Sequence, residues 1–238
     1  MRVDAIAGRL AWLDGAMTEH SHGHQHGNEH DRGVKAMVRY ARYARLMWRS
    51  ELNDAVVDLV APLPGERVVD VGAGAGAATV VAAKRGASVM AVEPTPYMRR
   101  VLSGRRLAQR NRAQIRIVDG AAEATGLPDA SADAAWAVNT MHHWTDMPAG
   151  ARELARILAP GGRVVLVDED FDDPAHPDHE RFGGGHGDGD GEGDHAFHMV
   201  DADSVASELR AAGLEVSQAG KDDVADRPAI VVKASKPD

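Results

Sequence analysis

The chain contains no cysteine. Disulfides, thiolate metal sites and cysteine nucleophiles are therefore excluded. It has no apolar run of the ~18–20 residues that a membrane-spanning helix needs. Residues 1–16 carry an early Arg, Asp4 and Asp14 around a short apolar run, a poor secretory signal. These gaps predict a cytoplasmic protein without a membrane partner. An excess of positive charge is missing too: 36 acidic side chains face 27 basic ones, a net charge of −9. That balance argues against nucleic acid as a partner. The charge is uneven, however, with residues 32–49 basic and 168–194 strongly acidic. What is present is 238 residues, 44% of them hydrophobic. That suffices for one α/β domain with a full core and modest extras.

Residues 18–33 are polar and rich in His and Gly, without apolar periodicity. Such a segment buries too little surface to offset its ordering entropy, so residues 1–33 read as a flexible arm. Met17 offers a second translation start. Residues 34–61 are helical by pattern, with stripes at Met37, Tyr40, Ala44 and Met47 and at Leu52, Val56, Leu59 and Val60. Pro62 and Pro64-Gly65 end the second stripe. Strands are then expected at 67–71, 88–92, 114–118, 134–138 and 163–168, with helices near 77–85, 96–110 and 148–158. Leu158 to Gly162 reads as a turn. This alternation means βαβ units and a parallel sheet. Residues 169–198 interrupt it as a low-complexity acidic and His-rich insertion, expected to form a surface loop. A helix at 201–212, Gly213 as its cap, and strands at 214–218 and 229–234 follow. Two consecutive strands suggest an antiparallel pair at the sheet edge.

Val68-Val-Asp-Val-Gly-Ala-Gly-Ala-Gly76 runs from apolar strand into a glycine turn that opens a helix. Glycines let a backbone approach a ligand, and a helix start offers free N–H groups. Gly72, Gly74 and Ala77 also satisfy the dinucleotide pattern G-x-G-x-x-G/A, so the turn alone leaves the cofactor open.

Four blocks narrow the choice: Val69 to Gly76; Val89-Met-Ala-Val-Glu-Pro94; Val118-Asp-Gly-Ala-Ala-Glu123 with Leu127-Pro128 and Asp133; and Leu158-Ala-Pro-Gly-Gly-Arg-Val164. Ala137 to Trp144 lies between the last two. Over roughly residues 50–168 the chain resembles the class I S-adenosylmethionine-dependent methyltransferases, in the branch that methylates small molecules such as quinone precursors. The resemblance implies a Rossmann-like three-layer sandwich for 34–238, with a mostly parallel seven-stranded sheet and an antiparallel C-terminal edge strand. It implies S-adenosyl-L-methionine as cofactor and a small-molecule methyl acceptor as partner. By position, Asp70 would anchor the turn and help hold the methionine ammonium. Gly72, Gly74 and Gly76 would face the methionine and ribose. Glu93, a strand-end carboxylate outside the core, would accept from both ribose hydroxyls. The family often has an Asp where Ala121 stands, so Asp119 or the backbone of Gly120 to Ala122 would have to serve adenine. Asn139 and Thr140 would line the floor near the methyl group.

His142 and His143 follow the fourth strand, where such enzymes meet their acceptor, and either could act as a general base, with a weak preference for His143. A basic aromatic stretch, Arg39 to Arg45, could cover the cofactor. His20, His22, His24 and His26 in the arm, and His176, His179, His186, His195 and His198 in the insertion, raise a divalent metal such as zinc or nickel, with His176 and His179 as ligands. Asp188 to Asp194 fails the EF-hand template at Glu192 and Met199. Two other functions compete with methyl transfer: a metal-binding or sensing protein on the same fold, and a dinucleotide-dependent oxidoreductase. The oligomeric state is not legible.

Overall fold

A computed structural model describes residues 51–182 and 200–238. The expected arm at 1–33, the basic aromatic stretch, and His186, His195 and His198 lie outside the described residues.

Helix α1 (Leu52–Val60) buries Leu52, Val56, Val57 and Val60. It ends at Ala61, which turns left-handed (φ 47°) and returns its N–H to Val57 O. Pro62 cannot continue the helix. The chain then alternates: β1 (Arg67–Val71), α2 (Ala77–Lys84), β2 (Ser88–Val92), α3 (Pro96–Leu107), β3 (Ile115–Val118), β4 (Ala132–Val138), α4 (Met147–Ile157) and β5 (Leu158–Glu169). A short helix α5 (His179–Phe182), α6 (Ala202–Ala211), β6 (Glu215–Asp223) and β7 (Pro228–Ser235) complete it.

The seven strands form one sheet in the order β3-β2-β1-β4-β5-β7-β6. Strands β1 to β5 pair in parallel. β7 is antiparallel to both β5 and β6. The antiparallel C-terminal strand therefore lies one place in from the edge, and β6 is the edge strand. Its exposed end carries Lys221, Asp222 and Asp223, charges that discourage pairing with another sheet. One face of the sheet packs on α4 and α6 through Leu154, Ile157, Val205 and Leu209. The other packs on α1 and α2, with Trp136 fully buried. The result is the three-layer sandwich expected from the sequence.

Two differences from the sequence reading matter. The Leu158 to Gly162 turn is a bulge inside β5: pairing passes from Ala132↔Leu158 to Ala134↔Arg163, with Gly161 left-handed at φ 70°. The 169–198 insertion begins as ordered structure. Glu169 still belongs to β5, Asp170 N donates to Pro228 O, and His176 is buried.

After β1 the chain proceeds outward to β2 and β3, then returns to place β4 on β1's other side. The sheet thus reverses direction between β1 and β4. In open α/β sheets such a reversal leaves a crevice at the carboxyl ends of the strands. The glycine turn follows β1 and Asn139 to Trp144 follows β4, so both lie there.

Candidate active site

The three glycines of the turn have different reasons to be glycine. All are left-handed, with φ of 71° at Gly72, 52° at Gly74 and 75° at Gly76. A Cβ on Gly72 would lie 2.5 Å from Thr140 Cγ2, and one on Gly76 would collide with Leu102 Cδ1. These two glycines serve internal packing. A Cβ on Gly74 would meet nothing nearer than Gly72 O at 4.0 Å. The backbone is therefore open to an incoming ligand at Gly74.

Glu93 stands beside it. Its Oε2 accepts from Gly74 N and its Oε1 from Thr95 N, both at 2.8 Å. The residue is only 5% exposed. This corrects the picture of a strand-end surface carboxylate: Glu93 closes the glycine turn from within. A carboxylate has about four lone-pair positions, so each oxygen keeps one for a hydroxyl.

Asp70 is buried, and its Oδ2 accepts from Thr79 Oγ1 at 2.5 Å beneath the start of α2. It lies opposite Trp136 in the β1–β4 register. The carboxylate thus pins the turn to the helix and has little exposed surface to offer a methionine ammonium. Burial pushes its pKa up to about 6, against the opposing effect of the Thr79 hydrogen bond. An acid whose pKa is raised on folding has its full stabilising contribution at low pH, where both states are protonated. That contribution is lost as pH rises toward the folded value. Asp70→Asn, which keeps an oxygen for Thr79, is therefore expected to exceed the parent in stability by about 1–2 kcal/mol at pH 8. The gap should close toward pH 4. Urea unfolding at the two pH values checks this, and a less stable variant at pH 8 contradicts it.

Beyond β3, Asp119 is an exposed residue whose Oδ2 accepts from Arg99 Nη2 at 2.7 Å. Arg99 Nη1 also donates to Glu93 O at 2.8 Å and Pro94 O at 2.6 Å. Arg99 thus ties the ends of β2 and β3 together, a role that sequence reasoning missed. Its signal was the Arg99-Arg100 pair in the first turns of the helix that follows Glu93. Gly120 is required because a Cβ there would lie 2.6 Å from Thr125 O. Ala121 exchanges backbone hydrogen bonds with Ala124, so its own N–H and C=O are already used. Asp119 and Ala121 are therefore both engaged before any adenine arrives.

Beyond β4, Asn139 is left-handed at φ 52°. Its Nδ2 donates to Glu169 Oε2 at 2.5 Å, and its Oδ1 accepts from Glu169 N at 2.8 Å. Asn139 therefore braces the ends of β4 and β5. Thr140 packs on Gly72 and accepts from Trp144 Nε1. Asp168, buried at the end of β5, accepts from the N–H groups of Thr140, Met141 and His142. The His142 ring joins it, with Nδ1 2.9 Å from Asp168 Oδ2. His143 is exposed, its ring centroid 4.0 Å from that of His142. The weak preference for His143 is thus reversed: the carboxylate that orients an imidazole belongs to His142. The sequence showed Asp168 only as the end of a strand.

The expected metal ligands are committed elsewhere. His176 Nδ1 accepts from Asp178 N, and its Nε2 donates to Glu169 Oε1, both at 3.1 Å. Its ring packs edge-on against Phe171. His179 Nδ1 donates to Phe171 O at 2.8 Å. Glu169 is held further by Arg227 Nη1 at 2.6 Å. Among the described residues no group of three His, Asp or Glu could hold a metal ion. His176 is a core histidine satisfied at both nitrogens.

Residues 69–166 match the family described as a methyltransferase domain. Over these residues the chain carries a methyltransferase domain. The domain is 40% identical over 111 residues to an uncharacterized methyltransferase of Mycobacterium tuberculosis (strain ATCC 25618 / H37Rv), covering 47% of this chain and 43% of that protein. It is 35% identical over 133 residues to a demethylmenaquinone methyltransferase of Clavibacter sepedonicus, covering 55% of this chain and 50% of that one. The chain thus spans about half the length of the curated relatives it matches. A crystal structure of a SAM-dependent methyltransferase from Aquifex aeolicus superposes with a TM-score of 0.59 at 20% identity, covering 82% of this chain and 97% of that one. That likeness concerns the fold alone. Among the described residues no helix is long and apolar enough to cross a membrane.

The site's chemistry fits the family's cofactor. Gly74 leaves a cradle that a Cβ would fill, and Glu93 beside it retains acceptor capacity for a diol.

Proposed function

We propose that this domain transfers a methyl group from S-adenosylmethionine to a small-molecule acceptor. The open space over Gly74, with the Glu93 carboxylate bonded to the same residue's N–H, carries the reading. Gly74 gives the backbone its close approach, and Glu93 offers one lone pair from each oxygen to the two ribose hydroxyls. The cofactor supplies a methyl group already activated by its sulfonium. The protein's work is then to align acceptor and methyl group and to exclude water. A net charge of −9 favours a small molecule over a phosphate backbone as acceptor. The demethylmenaquinone methyltransferase among the relatives is consistent with that choice.

The oxidoreductase reading would need a second catalytic constellation for hydride transfer, and among the described residues nothing beyond the turn suggests one. The metal-sensing reading loses its described ligands with His176 and His179. A direct test incubates the protein and a metabolite extract with cofactor labelled in the methyl group and follows products by mass spectrometry. Small products heavier by one methylene, roughly 14 Da plus the label, are expected, since methyl replaces a proton in a displacement. Label found only in macromolecules would contradict the small-molecule acceptor.

A further inference from the structure

The arrangement around Asp168 asks more than alignment from the site. Asp168 is buried where β5 ends, at the same end of the sheet as the glycine turn. It accepts three successive main-chain N–H groups from the segment following β4, at 3.0, 3.3 and 3.2 Å. Those bonds fix that segment against the carboxylate. The His142 ring is then set with Nδ1 2.9 Å from the same carboxylate. A carboxylate only accepts, so Nδ1 carries the proton and Nε2 carries the lone pair. The same carboxylate stabilises the imidazolium once Nε2 takes a proton. Among the described residues, Asp168 and the neighbouring His143 ring lie against His142. Glu169, the next carboxylate, is engaged by Asn139, His176 and Arg227.

An oriented base is useful only to an acceptor that must lose a proton in order to react. A neutral amine attacks through its own lone pair and sheds its proton afterwards. A hydroxyl is a weak nucleophile until its proton leaves. Resting on the methyl-transfer reading above, we propose that the acceptor is a hydroxyl of a small molecule, that His142 Nε2 is its general base, and that Asp168 is the positioning residue for His142. The acceptor oxygen gives its proton to Nε2 as it forms the bond to the methyl carbon. The carbon–sulfur bond breaks with its electron pair kept by sulfur. The products are a methyl ether, a neutral thioether and an imidazolium, which later returns its proton to water.

Two measurements test this on the full chain. In the first, the metabolite extract is incubated with protein and cofactor carrying a ¹³C methyl group, and carbon NMR identifies the atom that receives it. A methyl ether is expected, and an N-methyl or C-methyl product overturns the hydroxyl assignment. His142→Asn should slow formation of the product at least ~100-fold, the usual scale for a general base. It should still bind S-adenosylhomocysteine like the parent in calorimetry. Parental turnover in that variant overturns the role of His142, whereas failure of the parent to bind the cofactor product would defeat the methyl-transfer reading itself. The second measurement needs no turnover. The tautomer of the His142 ring is read by nitrogen NMR in the parent and in Asp168→Asn. The parent is expected to carry its proton on Nδ1, and the variant to shift population toward the Nε2–H form. An unchanged tautomer in a folded variant reduces Asp168 to a brace for the backbone and overturns its positioning role.

Discussion

Gly74→Val is expected to leave a folded protein that no longer binds S-adenosylmethionine measurably. The expectation follows from the difference among the three glycines. At Gly72 and Gly76 a side chain would strike Thr140 or Leu102, so substitutions there would damage the core before they informed on ligand. At Gly74 the space is open, and an isopropyl group would fill it. Backbone strain adds to this, because φ is 52° and β-branched residues avoid the left-handed region. That strain should cost about 1–2 kcal/mol of stability. Cofactor affinity should fall by at least ~100-fold, the equivalent of about 3 kcal/mol. Gly104→Ala is the matched control. Gly104 lies within α3, where a Cβ meets nothing within 4 Å. It should bind normally and gain about 0.5–1 kcal/mol in stability. Equal affinity in the two variants, read by calorimetry, would remove the ligand from the turn.

Glu93→Gln is expected to be nearly as damaging, and in two ways at once. Its amide can offer an oxygen to Gly74 N or to Thr95 N but not to both, since the other position becomes an NH2 group facing a donor. Leaving one part-buried N–H without its acceptor should cost about 1 kcal/mol of stability. The same change removes a charge-assisted acceptor for the ribose. S-adenosylhomocysteine should bind about 10- to 100-fold more weakly, corresponding to about 1.5–3 kcal/mol. Thermal unfolding and calorimetry on one preparation separate the two effects. Lower stability with unchanged affinity would leave Glu93 as a structural brace and nothing more.

The parts of the fold legible in the sequence are those marked by local chemistry. β1 and β2 occupy 67–71 and 88–92 as expected because Val-rich runs there are bounded by Gly and Pro. β6 outruns its expected end because Ala219 to Asp223 has no apolar alternation. Pairing with β7, not burial, makes it a strand. Within the site, the glycine turn and Glu93 stood out as residue types. Their internal partners did not, because those are distant in the chain. His142 meets Asp168 across 26 residues, and Asn139 meets Glu169 across 30. Composition did not show the setting of His176: a histidine among acids suggested a metal, and Phe171, Glu169 and the Asp178 N–H surround it as a satisfied interior group.

The central claim is that the crevice beside Gly74 and Glu93 holds the S-adenosyl cofactor. Calorimetric titration of the unmodified protein with S-adenosylhomocysteine, and separately with NAD, tests it most directly. The account predicts saturable binding of S-adenosylhomocysteine at one site per chain and none of NAD. Saturable NAD binding without any heat from S-adenosylhomocysteine would contradict it.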